Sequence, residues 1–213
     1  MSTANPISTQ TLRRLPTYYN YLKSLPADVK NISATSIARE LRLNDVQVRK
    51  DLALVSGGGR PKVGYVVEYL MDDIGRYLRY DYVDRAILVG AGNMGHALMC
   101  YEGFAQYGLD IVTAFDNNNS IIGTYINGKR VLPMEEMGSI CSKQDIKIGI
   151  ITVPSAAAQS VCDMMVKSGI KAIWNFAAVK LNTPKGVIVQ NEDLVASLVV
   201  LSQHLKQGGS DVD

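Results

Sequence analysis

The feature that most constrains the fold of this chain is a glycine-rich loop, Gly90-Ala91-Gly92-Asn93-Met94-Gly95. It directly follows the apolar run Ala86-Ile87-Leu88-Val89, which is typical of a strand buried on both faces of a parallel sheet. In this setting Gly90 permits a tight turn, Gly92 allows the backbone to approach a pyrophosphate, and Gly95 allows a helix to pack closely on the strand. The loop therefore predicts a dinucleotide-binding site.

The residues after the loop supply the other parts of this pattern. We expect a helix over His96–Tyr107, closed by Gly108, with N–H groups at its start facing the phosphates. A second strand, Ile111–Phe115, leads to Asp116, which lies 21 residues after Gly95. A carboxylate at this position accepts hydrogen bonds from both ribose hydroxyls and repels a 2′-phosphate. The pattern favours NAD(H) over NADP(H).

Strands continue to alternate with helices up to about residue 190. We expect strands over Ile148–Val153, Ile170–Phe176 and Val187–Val189, and a helix over Ala156–Val166 closed by Gly169. This alternation requires right-handed parallel crossovers and predicts a Rossmann-type domain.

In such a sheet the carboxyl ends of the strands line the cofactor crevice. The segment Thr152-Val153-Pro154 follows one predicted strand, and Asn175 and Phe176 end the next. These five residues are therefore expected near the dinucleotide as well.

Charge is distributed unevenly along the chain. Residues 1–65 contain ten Lys and Arg and four Asp and Glu, a net charge of +6, whereas residues 66–213 carry −4. A basic module joined to a mildly acidic one suggests a polyanion as the partner of the first. The alternative is a basic solvated surface.

Helical spacing in the basic module predicts three helices. The first begins near Pro16, where the missing N–H of proline costs nothing. The second follows Ser33 as N-cap, and the third runs from Asn44 or Asp45 to Val55. The apolar residues of the third helix that we expect to face inward are Val46, Val48, Leu52 and Val55. Two short helices so closely spaced indicate a helix-turn-helix, whose second helix enters the DNA major groove.

The third helix and the segment after it carry candidate DNA contacts. Arg49 can bridge guanine O6 and N7, Gln47 can pair with adenine, and Lys50 can hold a phosphate. The glycines that follow suit the tip of a β-hairpin wing, which would place Arg60 or Lys62 on the backbone or in the minor groove. A flexible linker with incidental charges is the alternative.

Two further helices are expected outside these modules. Val66–Tyr80 has helical spacing and is predicted to be a stiff connector. The last helix, Glu192–Lys206, has an apolar stripe wider than one sheet edge requires, so a partner subunit could bury the surplus. We accordingly divide the chain at residues 1–84, 85–190 and 191–213.

Several classes of protein are disfavoured. The longest uncharged stretch, Ile148–Cys162, has 15 residues and contains Pro154, short of the roughly 20 that a spanning helix needs, and no secretory signal is visible at the N-terminus. Cys100, Cys141 and Cys162 never form a Cys-x-x-Cys pair and are expected to be buried thiols, with neither metal nor disulfide. These features predict a protein of the reducing cytoplasm without a membrane partner.

The main functional alternative is a small NAD-dependent oxidoreductase. It would need a proton donor and a substrate domain. The Rossmann unit and the final helix occupy nearly all of residues 85–213, which leaves no room for a substrate domain. His96 and His204 are more simply explained as structural and surface residues, respectively. A third possibility, a nucleotide-binding interaction protein without DNA, is disfavoured by the basic module. We therefore expect no catalytic residues.

Six motifs in one order resemble the Rex family of bacterial redox-sensing transcriptional repressors. They are Arg14-Leu15-Pro16-Thr17-Tyr18-Tyr19, Val48-Arg49-Lys50-Asp51-Leu52, Val63-Gly64-Tyr65, the glycine loop followed by Phe115-Asp116, Thr152-Val153-Pro154, and Asn175-Phe176-Ala177. The resemblance implies an α/β protein with an N-terminal winged-helix DNA-binding domain, a C-terminal Rossmann-type domain, and a homodimer that exchanges its terminal helices. It also implies repression at an A·T-rich pseudo-palindromic operator, with NADH releasing the DNA.

Some roles come from this resemblance alone. By it, Arg49 and Lys50 match the DNA-contacting pair of the family, Tyr101 matches a tyrosine near the nicotinamide, and Phe176 an aromatic residue close to that ring. Asp193 matches the acid at the start of the exchanged helix.

Overall fold

The structure is a computed structural model that describes residues 7–61 and 63–206. The chain divides into two compact units, with the boundary between Asp81 and Tyr82. They are the N-terminal unit, up to Asp81, and the C-terminal unit, from Tyr82.

The N-terminal unit consists of helices and one small antiparallel ribbon. The helices are α1 (Thr9–Lys23), α2 (Ala34–Glu40), α3 (Asp45–Val55) and α4 (Val67–Leu78). Strands β1 (Asn31–Ile32) and β2 (Tyr65–Val66) form the ribbon. The predicted second and third helices are confirmed, and α4 corresponds to the predicted connector.

Side-chain caps set where these helices begin. The hydroxyl of Ser33 accepts the N–H of Ser36 at 2.9 Å, as the sequence predicted. Asn44 Oδ1 accepts the N–H groups of Val46 and Gln47, which fixes the start of α3 directly after a short break.

The predicted start of the first helix near Pro16 is wrong. Ser8 caps Thr11 through a 3.1 Å hydrogen bond, so α1 begins at Thr9 and carries Pro16 in its interior. The cap and the apolar stripe of Leu15, Tyr18 and Leu22, all of them buried, outweigh the hydrogen bond that a proline removes from a helix.

The core of the N-terminal unit joins all four helices. Val48 and Leu52 on α3 are fully buried, as expected, against Leu15, Tyr18 and Ile37. Val46, however, is 50% exposed, so the prediction that it faces inward is wrong. It lies in the first turn of α3, two residues before Val48, and therefore faces away from the core.

The C-terminal unit is built on a seven-stranded sheet. Its strands are β3 (Asp84–Val89), β4 (Leu109–Asp116), β5 (Tyr125–Ile126), β6 (Lys129–Pro133), β7 (Ile148–Ile151), β8 (Ala172–Asn175) and β9 (Ile188–Asn191). They lie in the order β5-β6-β4-β3-β7-β8-β9, and every pair is parallel except β5–β6. Numbered along the chain, the six parallel strands have the order 3-2-1-4-5-6 of the Rossmann fold.

Helices lie between these strands and after the last one. They are α5 (Asn93–Met99), α6 (Met137–Lys143), α7 (Ser155–Lys167) and the terminal α8 (Leu194–Lys206), with 3₁₀ helices at Glu102–Tyr107 and Met134–Glu136. The prediction of one helix over His96–Tyr107 is wrong. The α-helix ends at Met99, and a separate 3₁₀ turn carries the chain to Gly108, whose φ of +69° ends it as predicted.

The terminal helix α8 exposes its apolar side chains. Leu194, Val195, Leu198, Leu201 and Leu205 are each 57–75% exposed. In the rest of the unit, buried apolar residues from both faces of the sheet form two clusters around β3, β4 and β7. The described part of α8 therefore keeps an apolar surface that its own chain does not cover.

Two of the three cysteines are buried as expected. Burial raises the pKa of the Cys141 and Cys162 thiols, which keeps them protonated. Cys100 is exposed, contrary to the prediction, because it follows the last residue of α5 on the solvent side. Among the described helices, none has the length and apolar character needed to cross a bilayer.

Candidate functional site

The glycine loop joins β3 to α5 in a conformation that requires glycine at two positions. Gly90 has a φ of +100°, and a Cβ there would lie 2.8 Å from Val153 Cγ1. A Cβ on Gly95 would lie 2.0 Å from the carbonyl oxygen of Gly90, closer than packed atoms can approach. Both positions therefore exclude any side chain, which agrees with the roles assigned from the sequence.

Gly92 differs, because a Cβ there would meet nothing within 4 Å. It precedes the first residue of α5, Asn93, and no side chain caps the helix N-terminus at this point. Asn93 and Met94 are exposed. The open space over Gly92 thus lies next to backbone N–H groups at the start of α5, the arrangement that a phosphate group requires.

Asp116 is fixed at the carboxyl end of β4 by two backbone groups. Its Oδ2 accepts the N–H of Ala91 at 2.7 Å, and its Oδ1 accepts the N–H of Asn118 at 2.9 Å. The first bond ties the carboxylate directly to the glycine loop. Each carboxylate oxygen retains a lone pair for a further donor.

Thr152 ties the next strand to the same loop. Its hydroxyl lies 2.7 Å from the Gly90 carbonyl oxygen and 3.0 Å from that of Val89. The loop is therefore fixed from both sides, by Asp116 on β4 and by Thr152 after β7.

A cleft of about 340 Å³ opens beside the loop at this edge of the sheet. Asp116 and Gly92 line its polar part, and the β7–α7 segment lines its apolar part. Its lining residues are Val89, Gly90, Gly92, Asp116, Asn117, Met134, Thr152, Val153, Pro154, Ala157, Ser160, Val161 and Met164. Met134 and the α7 residues were not singled out from the sequence, because they lie in elements whose relation to the loop becomes visible only in the fold.

Four aromatic rings form a row elsewhere in the unit. Tyr101 contacts Phe104, Phe104 contacts Trp174 and Trp174 contacts Phe176, with ring centroids 4.9, 5.7 and 4.6 Å apart. Trp174 Nε1 donates to Glu192 Oε1 at 2.8 Å. Neither Tyr101 nor Phe176 lines the 340 Å³ cleft, so the predicted nucleotide contacts fall into two groups.

Asn175 is fully buried, and its side-chain amide forms hydrogen bonds with other residues of the chain. Its Nδ2 lies within hydrogen-bond distance of the carbonyl oxygens of Ala177 and Val179 and of Asn191 Oδ1, and its Oδ1 accepts the N–H of Ala177. The residue holds the turn after β8 and thereby places Phe176.

The predicted DNA contacts lie in the N-terminal unit. Arg49 and Lys50 are exposed on α3, and Arg49 makes a long 3.4 Å contact to Asp45, four residues earlier. Arg60 is exposed at a tight turn in which its backbone exchanges two hydrogen bonds with Gly64. Lys62 lies outside the described residues.

Gln47 takes part in a buried network that the sequence did not reveal. Its Nε2 donates to Asp51 Oδ1 at 3.1 Å, and Asp51 is 1% exposed. The same carboxylate accepts from Thr11, Arg14 and Tyr18 on α1. We call these five residues the Asp51 cluster. An acid directly before buried Leu52 and three residues after buried Val48 was the signal that could have located it.

The cluster keeps Asp51 ionised. Burial alone would raise the pKa of this carboxyl, but hydrogen bonds from Arg14, Tyr18, Gln47 and Thr11 together bring it below its ordinary value. Burial and the bond to Asp51 raise the pKa of the Tyr18 hydroxyl, and the same carboxylate raises that of Arg14.

Comparison with known families gives matches to both units. Residues 81–179 match the CoA binding domain family, and residues 6–53 match a family described as "Putative DNA-binding protein N-terminus". The redox-sensing transcriptional repressor Rex of Treponema denticola is 43% identical over 192 residues, covering 90% of this chain and 91% of the relative. Rex of Porphyromonas gingivalis (ATCC 33277) is 41% identical over 197 residues (92% and 90%), and Rex of Clostridioides difficile 39% over 203 residues (95% and 97%).

Solved structures agree with these relatives. RSP, described as a Rex-family repressor, has been crystallised with β-NAD⁺ and operator DNA, and that chain superposes with a TM-score of 0.89 at 35% identity, covering 95% of this chain and 94% of the other. Its complex with β-NADH gives 0.86 at 34% identity, with 95% and 96% covered.

These matches confirm the resemblance, the α/β fold class with a DNA-binding N-terminal domain, and the preference for a repressor over an oxidoreductase. The chain belongs to the Rex family of redox-sensing transcriptional repressors.

Proposed function

We propose that this chain represses transcription by binding operator DNA as a homodimer and that NADH binding releases the DNA. The observation that carries the proposal is the glycine loop held by Asp116, with open space over Gly92, in the geometry of a dinucleotide site. The relatives named Rex and the RSP complexes with β-NAD⁺, β-NADH and operator DNA support it. We retain residues 1–84, 85–190 and 191–213 as the DNA-binding, nucleotide-binding and dimerisation segments.

The cleft residues fit the adenosine half of NAD(H). Asp116 would accept the ribose hydroxyls, because each of its oxygens keeps a lone pair beyond the bonds to Ala91 and Asn118. The apolar wall of Val153, Val161 and Met164 suits an adenine ring. The carboxylate would repel a 2′-phosphate, so NAD(H) is favoured over NADP(H).

The loop would hold the pyrophosphate, with Gly92 giving the space and the N–H groups of Asn93 and Met94 pointing to it. Tyr101 and Phe176, at the two ends of the aromatic row, would contact the nicotinamide. An apolar surface there accepts the neutral ring of NADH and disfavours the positive ring of NAD⁺. This difference between the two coenzyme forms is what a redox sensor requires, because a ligand indifferent to conformation shifts no equilibrium.

On the DNA side, Arg49, Lys50 and Gln47 would enter the major groove from α3, and Arg60 and Lys62 would reach the backbone or minor groove from the turn after it. Arg49 can give the bidentate contact to guanine and Lys50 a phosphate contact. We propose an A·T-rich pseudo-palindromic operator, since two α3 helices of a dimer read half-sites about 34–36 Å or a multiple of that apart.

The exposed apolar side chains of α8 support the dimer. Several of them are more than half exposed in the single chain. A partner subunit would bury this apolar surface if the two subunits exchanged their terminal helices. Closure of the dimer on NADH would change the spacing of the two α3 helices. We propose the bacterial cytoplasm as the place of action, where operator DNA is found.

The test is a titration of fluorescently labelled operator with protein in the presence of NADH or NAD⁺. We expect NADH to weaken binding by about 5–150-fold relative to NAD⁺, the range of ordinary allosteric coupling. R49A serves as control and should lose specific DNA binding while its NADH affinity stays unchanged. Equal effects of the two coenzyme forms would contradict the proposal.

A further inference from the structure

The Asp51 cluster links α1 to α3 through one buried carboxylate. Arg14 donates from Nε to Oδ2 at 2.7 Å and from Nη2 to Oδ1 at 3.1 Å, and the Tyr18 hydroxyl donates to Oδ2 at 2.8 Å. The Thr11 hydroxyl donates to Oδ1 at 3.0 Å. Asp51 thus accepts five hydrogen bonds from four side chains, the fifth coming from Gln47.

An ionised carboxylate only accepts hydrogen bonds, and this settles the orientation of the Gln47 amide. Its NH₂ group must face Asp51, since its Oε1 would face another acceptor. Thr11 supports the same arrangement from α1, because its single proton is used on Asp51 and it therefore accepts from Ser8, 3.0 Å away. If the Gln47 amide were flipped, its Oε1 would face the Asp51 carboxylate and the hydrogen bond would be lost, so only one orientation of the amide is stable.

The part of Gln47 that Asp51 does not use faces outward. The residue is exposed in the first turn of α3, where helix-turn-helix proteins place their base contacts. With one N–H on Asp51, the amide keeps Oε1 as acceptor and one N–H as donor. This pair complements N6–H and N7 of adenine in the major groove and matches no other base as well.

We propose that Asp51 is a positioning residue for DNA recognition, which orients the Gln47 amide so that it reads an adenine in each operator half-site. Asp51 touches no DNA in this arrangement and acts through Gln47 alone. The inference rests on DNA binding through α3, which is part of the proposed function.

The experiment is selection of bound duplexes from a library with a randomised central segment, followed by sequencing, for wild type, Q47M, D51N and T11V. Wild type should select an adenine at one position per half-site, and Q47M should lose that preference alone. D51N should reduce it about tenfold, within the range of a good bidentate contact, because an asparagine can donate or accept and no longer fixes the amide. Preferences at the other positions should remain.

T11V is the matched control. It removes one hydrogen bond from Asp51 and loosens the same cluster but leaves the bond between Asp51 and Gln47, so its adenine preference should equal that of wild type. If D51N and T11V weaken DNA binding alike, with the selected sequence unchanged, Asp51 is merely structural and the proposal is wrong. If wild type selects no sequence at all, the proposed function itself fails.

A second measurement does not depend on the folding of D51N. In the wild-type protein with ¹⁵N-labelled glutamine, the Nε2 proton of Gln47 that is bonded to Asp51 should be shifted downfield and protected from exchange, whereas the outward-facing proton of the same amide should exchange rapidly. Two Gln47 protons that both exchange as rapidly as those of Gln10, an exposed glutamine on α1, would overturn the proposal.

Discussion

The glycine loop of the C-terminal unit and the Asp51 cluster of the N-terminal unit both fix a binding surface, by different means. The loop is shaped by the absence of side chains, because Gly95 leaves no room for a Cβ against Gly90. The cluster is shaped by side chains, four of which converge on one carboxylate. A backbone site is encoded within a few adjacent residues, whereas the cluster draws on positions up to 40 residues apart.

The largest effect should come from breaking the cluster. D51N removes the charge and replaces one of the two oxygens that accept from the Arg14 guanidinium and the Tyr18 hydroxyl. We expect the N-terminal unit to lose about 3 kcal/mol of unfolding free energy, the low end for a broken buried ion pair. Hydrogen exchange of the α1 and α3 amides measures this loss apart from the other unit. T11V, which removes one neutral donor, should cost about 1 kcal/mol. Equal protection in D51N and wild type would contradict the role we give to Asp51.

The loop should respond nearly as strongly to an added methyl group. G95A forces the helix away from the loop, so we expect NADH affinity to fall about 100-fold, or about 2.7 kcal/mol, together with a lower melting temperature. G92A is the control, because its methyl group enters open space and should weaken NADH binding without lowering the melting temperature. A G95A protein that binds NADH normally would show that the loop tolerates a side chain after all.

Removing the carboxylate at the end of β4 should have a smaller effect. D116A deletes both the proposed ribose contact and the bond to the Ala91 N–H, and we expect NADH affinity to drop about tenfold, in line with a hydrogen bond to a charged group. Fluorescence titration with NADH and NADPH provides the measurement. The preference for NADH over NADPH should narrow, and an unchanged preference would speak against the ribose assignment.

Lowering the pH should have a smaller effect, and we expect it to destabilise the N-terminal unit through Asp51. The folded pKa of Asp51 lies below its unfolded value of 3.8, so its contribution to stability is complete above that value and is lost as the pH falls through the folded pKa. The N-terminal unit should therefore lose stability below about pH 4, more steeply in wild type than in D51N. Melting curves from pH 6 to pH 3 measure the difference, and parallel curves would exclude Asp51 as its source.

The contrast also explains what could be predicted. The loop, Asp116 and the alternation of strands and helices follow from local patterns, and the Rossmann topology follows from them through handedness. The break after Met99 was missed. The β5–β6 hairpin was missed although Asn127-Gly128, both with positive φ, is a strong hairpin-turn signal, because the two residues of β5 are too few to show an alternating pattern. Pro16 misled the placement of α1, because the cap at Ser8 and tertiary packing outweighed a local rule.

The predictions of site residues differ in the same way, because a residue's chemical type is visible in the sequence and its partners in the fold are not. Gln47 was assigned to DNA from its chemical type, which is a property of one residue. Its bond to Asp51 joins residues four apart on one helix, a spacing that brings side chains together. The bonds from Thr11, Arg14 and Tyr18 to Asp51 depend instead on how α1 packs on α3, which no spacing within either helix records. Asn175 and Phe176 were both expected near the dinucleotide. The Asn175 side chain forms its hydrogen bonds within the turn after β8, whereas the Phe176 ring lies at the end of the aromatic row.

Trp174 is the single tryptophan of the chain, and it lies within the aromatic row between Phe104 and Phe176. Besides its eleven tyrosines the protein therefore carries one indole fluorophore, in the unit that we propose holds the coenzyme. Reduced nicotinamide absorbs light in the range where indole emits, so energy transfer from Trp174 would dim protein emission as NADH occupies the site. Occupancy and DNA release can then be followed in one cuvette by two separate optical signals, without a label on the protein.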